Sequence, residues 1–364
     1  MKRTLIACLL LLAAVSCHRS PAPGREPVKL VKDIVSGADA GANVISASGM
    51  PASSGEIYIA GAPESCRLLR DKFVSCDIFE NVRGRSWSDG LKDFAGETFS
   101  CISDWANTPY GELVKTGSAD SLRELAVRYA LAALDTKYNI SVYDLDGNGT
   151  KVPAKAIVFP DPWLYEYGKF DVDTLFSITG LGVSVISPQD LMFNAVFGGE
   201  RKCFNIGLIC DSTAVGTGIY PAIFKDKTRE HGIMGAKFFE ASVSQEPGSL
   251  YRFLDAYIAS GNDEPLDAII VDDPRLDKER MEEELQAARD FSREEYMNYG
   301  KLISTFLTMQ FSSELVMQEC YSILRKGSLF THRIAQPASR SYIVSPRPWV
   351  EDMQFLLIRE QDDV

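Results

Sequence analysis

The sequence predicts an α/β protein of two lobes, each a mostly parallel sheet flanked by helices, and three observations lead there. Short, nearly continuous apolar runs such as Ala156-Ile157-Val158-Phe159 and Ala268-Ile269-Ile270-Val271 alternate with stretches of helical period, as parallel strands buried on both faces do. These runs fall into two series, one on either side of about residue 200. A chain of 364 residues also exceeds what a single hydrophobic core usually organises.

Taken in order, residues 1–17 carry a basic start at Lys2-Arg3, an apolar run from Leu5 to Val15, and then Cys17. Residues 18–55 hold Pro21, Pro23, Pro27 and Pro51 among Gly, Ala and Ser, the composition of a flexible tether, interrupted by a short apolar segment from Val28 to Val35. The first lobe is expected over 56–200. It opens with a strand at Ile57–Gly61 and a helix over Cys66–Phe79, followed by a candidate strand at Thr98–Ile102. Ser121-Leu122-Arg123-Glu124 reads as a capping box, with Leu122, Leu125, Ala126, Tyr129, Ala130, Ala133 and Leu134 at helical spacing after it. Strands over 156–159 and 183–186 enclose a short helix at Asp171–Ile178.

The second lobe is expected over 201–364. Strands at 204–211, 236–239 and 266–273 alternate with a helix at Leu250–Ser260. An acidic helix from about Leu276 sets Met281, Leu285, Ala288 and Phe291 on one face, and further helix runs over Gln318–Leu329. Closing or crossover strands are expected at Ser341–Ser345 and Met353–Ile358. No internal repeat of fixed period is present.

With 45% apolar and 24% charged residues the composition is that of an ordinary globular protein. A formal charge of −12 without a basic run argues against nucleic acid as a partner. Cys66, Cys76, Cys101, Cys203, Cys210 and Cys320 are scattered, without the CxxC or zinc-ribbon spacing a metal centre needs, so buried thiols are expected, with one bridge conceivable among Cys66, Cys76 and Cys101. No cofactor or metal is expected.

In open α/β sheets ligands bind beyond the carboxyl ends of the strands. The strand tails here are Pro63-Glu64-Ser65, Asp161-Pro162-Trp163, Ser187-Pro188-Gln189, Asp211-Ser212-Thr213 and Asp272-Asp273. Together these residues would fix a small polar ligand with carboxylates and hydroxyls and stack its apolar face on the indole. The same residue types also serve as helix caps and turn formers.

Two resemblances follow from these residues. The basic start, short apolar run and small residues before Cys17 resemble a bacterial lipoprotein signal of the Bacteroidetes type, although Ala14 stands where the lipobox usually has Leu and no acidic export tag follows the cysteine. The resemblance implies lipidation at Cys17, with the membrane contacted through lipid alone, at an outer membrane facing the periplasm. The segment from Asn205 to Asp273 resembles the Rossmann-like unit of the type I periplasmic binding protein class. That class implies a small polar solute captured between two lobes, without catalysis, and a transporter or envelope partner the sequence does not name.

Further constellations compete. Asp93, Glu97 and Asp104 lie close in sequence and support an alternative carboxylate-dependent envelope or glycan hydrolase if two of them face one pocket; a solvated loop in an acidic protein accounts for them more simply. Asp144-Leu145-Asp146-Gly147-Asn148-Gly149-Thr150 begins like a calcium loop, but Lys155 takes the twelfth position, so a hairpin turn after a strand at Ile140–Tyr143 is expected. Asp211–Gly218 lacks the third glycine of a dinucleotide fingerprint. Gly84–Ser88 misses the last glycine of a nucleophile elbow. His231 and His332 have no local catalytic partner. A second alternative is an assembly or interaction protein that uses the acidic helix after Leu276.

Overall fold

The computed structural model describes residues 25–79, 88–199, 203–290, 297–347 and 353–360. The chain is α/β, with mostly parallel sheets flanked by helices. Its strands are β1 (Glu56–Gly61), β2 (Thr98–Asp104), β3 (Lys137–Tyr138), β4 (Gly149–Thr150), β5 (Ala154–Val158), β6 (Ser184–Ile186), β7 (Asn205–Cys210), β8 (Lys237–Ala241), β9 (Leu266–Asp272), β10 (Ile303–Phe311), β11 (Ala338–Pro346) and β12 (Phe355–Arg359).

One sheet has six strands in the order β12-β11-β2-β1-β5-β6, the other four in the order β10-β9-β7-β8. Every pairing in them is parallel except β11 with β12. Strand β1 sets Ile59 opposite Cys101 on one side and Val158 on the other; β7 sets Leu208 opposite Glu240 and Ile270. Strands β1, β2, β5 and β7 are buried along their whole length, which explains why they read as continuous apolar runs rather than as alternation.

Each sheet is covered on both faces. On the six-stranded sheet, helices Lys29–Ser36, Ala119–Leu134 and Lys169–Thr179 pack on one face, and helices Pro63–Ser75 and Ser312–Lys326 on the other. On the four-stranded sheet, helices Ser249–Ala259 and Lys278–Ala288 cover one face, and helices Pro188–Phe197 and Ile219–Glu230 the other. Phe73 stacks on Phe99 at 4.7 Å and meets Phe94 edge-on at 5.3 Å, and each such buried ring contributes roughly 1.5–3 kcal/mol.

The chain therefore crosses between lobes twice. Helix Pro188–Phe197 leaves the first sheet after β6 and packs on the second. Helix Ser312–Lys326 leaves the second sheet after β10 and packs on the first.

Several expectations are corrected. The tether expected over 18–55 is folded from residue 28 onward. Val28, Leu30, Val31 and Ile34 are buried in the first core, and the Asp171 carboxylate accepts the Val28 N–H at 2.7 Å. The second lobe expected over 201–364 gives up residues 338–359, because β11 pairs with β2, where Tyr342 lies opposite Ile102. Strand β10 was missed because its burial is irregular, with Thr305 and Phe306 exposed between buried Ile303 and Leu307. Helix Ala119–Leu134 is capped by Ser118, whose Oγ accepts the Ser121 N–H, one turn before the expected box. The hairpin around Asp144 joins β3 and β4, not a strand at 140–143. Asp144 accepts the N–H groups of Ile140, Gly147 and Asn148 and so is consumed by its own loop.

Candidate functional site

Because the strands of each sheet run parallel, their carboxyl ends gather at one side, and the two sheets present these ends to a common cleft of about 570 Å³. Its walls include Pro63-Glu64-Ser65 after β1, Trp105 after β2, Asp161-Pro162-Trp163 after β5 and Pro188 after β6. From the other lobe come Asp211 and Thr213 after β7, Asp272-Asp273-Pro274-Arg275 at the end of β9, and Ser312 after β10. The volume lies within the roughly 300–1,000 Å³ typical of small-molecule sites.

Two aspartates face this space from opposite lobes. Asp161 is half-buried, and its Oδ1 accepts the Trp163 N–H at 2.8 Å. Burial pushes its carboxyl up to about 7, and the nearby charge of Asp272 adds to this against the pull of the Trp163 and Leu164 N–H groups. Asp272 is also half-buried. Tyr220 donates its hydroxyl to Oδ2 at 2.6 Å, Gln189 donates its amide to the same oxygen at 3.4 Å, and Ser312 donates to Oδ1. Burial raises the Asp272 carboxyl, and the hydroxyls of Ser312 and Tyr220 resist.

Beside this pair lies an ionic clamp. Arg275 donates from Nε and Nη2 to the two oxygens of Asp273, each at 2.8 Å, and from Nη2 to Asp211. Burial pushes the Asp211 carboxyl up, but two hydrogen bonds from Thr213 and the Arg275 charge outweigh it and hold the carboxyl below its ordinary range. Trp163 stacks on Tyr167 with centroids 6.0 Å apart. The backbone of helix Tyr110–Thr116 comes close to this indole because residue 111 is glycine: a Cβ there would stand 2.9 Å from the ring.

Of the residues singled out from sequence, Asp161, Trp163, Asp211, Thr213, Asp272 and Asp273 line the cleft together. Ser187 and Ser212 do not. Ser187 is buried, with its Oγ unpartnered, and Ser212 is exposed outside the lining. Tyr220, Arg275 and Ser312 were missed, while Gln189, named in the tail after the strand at 183–186, lies behind the wall bonded to Asp272. Arg275 follows the Asp272-Asp273 pair by two residues and was open to view; Ser312 follows the strand that was not recognised.

The carboxylates of the hydrolase alternative share no pocket. Asp93 accepts the N–H groups of Ile78 and Phe79 at 2.6 and 3.1 Å and so closes a loop. Glu97 is paired at 2.5 Å with the fully buried Lys155. Asp104 accepts the Tyr129 hydroxyl and the Ala106 and Asn107 N–H groups. Glu97 precedes β2 and Asp104 ends it, so about 23 Å of extended chain separates them, against the roughly 5–9.5 Å a glycosidase pair needs.

The six cysteines from Cys66 to Cys320 are buried thiols, and no bridge joins Cys66, Cys76 and Cys101. His231 shares a hydrogen bond with Asn194, and His332 is exposed; neither lines the cleft. The Asp211–Gly218 loop gives its Gly216 N–H to Glu240. Met281, Leu285 and Ala288 of the acidic helix are buried in the second-lobe core, so its apolar face is taken up by internal packing. Cys17 and residues 84–87 lie outside the described residues. Among the described residues no helix is long and apolar enough to cross a membrane, and no three His, Cys, Asp or Glu side chains are grouped to hold a metal ion.

No family model matches the chain, and no curated protein matches it. Solved structures do resemble it. A glutamate racemase from Francisella tularensis subsp. tularensis SCHU S4, in complex with D-glutamate, is 14% identical with a TM-score of 0.44, covering 80% of this chain and 88% of that one. A glutamate racemase from Thermus thermophilus, in complex with beta-chloro-D-alanine, is 14% identical with a TM-score of 0.45, covering 82% and 90%. A maleate isomerase from Pseudomonas putida S16 is 11% identical with a TM-score of 0.36, covering 74% and 92%. At these values the likeness is one of general layout, and no residue role is carried across.

These comparisons correct the sequence reading. The similar structures named are glutamate racemases and a maleate isomerase, not periplasmic binding proteins, so that resemblance and the solute-binding role drawn from it are corrected; the hydrolase alternative is corrected by the separation of Asp93, Glu97 and Asp104. The lipoprotein reading finds no support in them either.

Proposed function

We propose that the cleft is the active site of an isomerase-type enzyme, one that removes a proton from a carbon of a small polar substrate and returns one at another face or position. The observation that carries this reading is the pair Asp161 and Asp272, brought from opposite lobes to one cleft, both raised by burial but differently bonded, Asp272 alone being held by side-chain hydroxyls. Asp161, with its carboxyl near neutrality, is fitted to give a proton at pH 7. Asp272, held by Tyr220 and Ser312, is fitted to accept one.

The remaining residues have supporting roles. Tyr220, Gln189 and Ser312 hold Asp272 in one orientation. Trp163, with Tyr167 behind it, offers a flat apolar wall, and Pro63, Pro162, Pro188 and Pro274 narrow the space open to water. Two-sided proton transfer leaves a direct trace, because in heavy water the labile carbon gains deuterium.

The test is proton NMR of a panel of chiral amino acids, hydroxy acids and unsaturated acids incubated with the protein in D₂O. Loss of a single C–H signal, abolished by Asp161→Asn and by Asp272→Asn with the native circular dichroism spectrum kept, is the expected outcome. A decrease of at least about 100-fold in exchange rate is expected for either variant. Exchange that persists undiminished in both would remove the acid–base assignment.

A further inference from the structure

Resting on that acid–base reading, we infer that the cleft takes a substrate bearing a protonated amine and no more than one carboxylate, and that it discriminates against dicarboxylates. The arrangement of charge is the reason. The carboxylates of Glu64, Glu112, Asp211, Asp272 and Asp273 line the cleft beside Asp161, which the acid–base reading keeps protonated, against two cations, Lys115 and Arg275.

Neither cation is uncommitted. Arg275 is gripped by Asp273, pairs with Asp211 and stands 3.9 Å from Glu64. Lys115 lies 2.8 Å from Glu112. A substrate with two carboxylates would have to draw Arg275 from partners already in place and leave a half-buried carboxylate unpaired, which is costly. An ammonium meets the opposite situation, a surround with an excess of negative charge that the low dielectric of a closed cleft strengthens.

One further feature points the same way. The indole of Trp163 offers a face on which a cation is held. One carboxylate is still accommodated, because the first turns of helices Pro63–Ser75, Pro188–Phe197 and Ser312–Lys326 border the cleft, where the N–H groups after the leading Pro63 and Pro188 lie at the positive ends of the helices.

The experiment is calorimetric titration of the whole protein with two probe sets at low and high salt: D- and L-ornithine with D- and L-lysine, and D- and L-glutamate with maleate. The amine probes are expected to bind at least tenfold more tightly than the dicarboxylates, the gap narrowing in salt. Asp211→Asn, which loosens Arg275, is expected to narrow it as well, and Glu64→Gln at the exposed rim to weaken amine binding without unfolding risk. Tighter binding of the dicarboxylates, or no binding of any amine probe, overturns the inference. Deuterium exchange on the same probes separates the two readings. Amines that bind and never exchange support this inference and remove the acid–base assignment, whereas dicarboxylates that bind more tightly and exchange do the reverse.

Discussion

Asp161 carries a stability consequence along with its chemical one. Its carboxyl titrates near 7 in the folded protein and near the ordinary aspartate value when unfolded, so between about pH 4 and pH 7 the folded state holds the extra proton. Stability conferred by that proton is fully present below about pH 4 and is lost as pH rises through 7. Asp161→Asn removes this slope. Melting temperatures of the variant and the parent across that window are expected to converge at low pH and to separate in the variant's favour toward pH 7, and an unchanged separation would contradict the burial argument. Arg123 makes the complementary case. It donates Nε and Nη2 to the fully buried Asp171, and Arg123→Ala leaves that carboxylate with the Val28 N–H as its remaining hydrogen-bond donor. A loss of about 3–5 kcal/mol in urea unfolding is expected, whereas Arg229→Ala, at an exposed pair with Asp226, is expected to stay within about 1 kcal/mol. At this scale the sequence was readable where a polar residue stands at or just beyond the end of an apolar strand, as Asp161, Asp211 and Asp272 do. It was silent on Tyr220, which reaches the site from within a helix whose polar members look like any others.

Strand β7 shows what an element must give up to sit at the centre of a sheet. Gly207 is flanked on the helix side by Phe253, and a Cβ added there would lie 2.6 Å from its ring. Gly207→Ala is therefore expected to destabilise by about 1–3 kcal/mol, read by denaturant unfolding, against the gain that alanine usually brings to a strand. A neutral result would mean that helix Ser249–Ala259 shifts freely. Continuous apolar runs made β1, β5, β7 and β9 legible, and the helical spacing of Leu122, Leu125, Ala126 and Tyr129 did the same for the helix over 119–134. Strand β10 was hidden because an edge strand needs only part of one face buried. Helix Lys29–Ser36 was hidden by the prolines before it, although Leu30, Val31 and Ile34 already marked its inner face.

At the scale of the molecule, the two crossings over 187–205 and 311–338 bind the lobes into one structure, and Lys227 on the second-lobe side is buried against Asp190 on the crossing helix. A single cooperative melting transition is expected, coincident in near- and far-ultraviolet circular dichroism; two separated transitions would show lobes that fold apart. The division into two α/β lobes was legible from the two series of strands. Which lobe the later strands join was not, since pairing of residues 338–346 with β2 depends on contacts more than 200 positions apart. That pairing has a consequence for the order of events during synthesis. Until the ribosome has passed residue 346, the outer edge of β2 presents bare N–H and C=O groups, and the half-built sheet is open to pairing with another nascent chain. Folding of the first-begun lobe is thus completed last, and its exposure to aggregation is governed by how quickly the second-begun lobe is made.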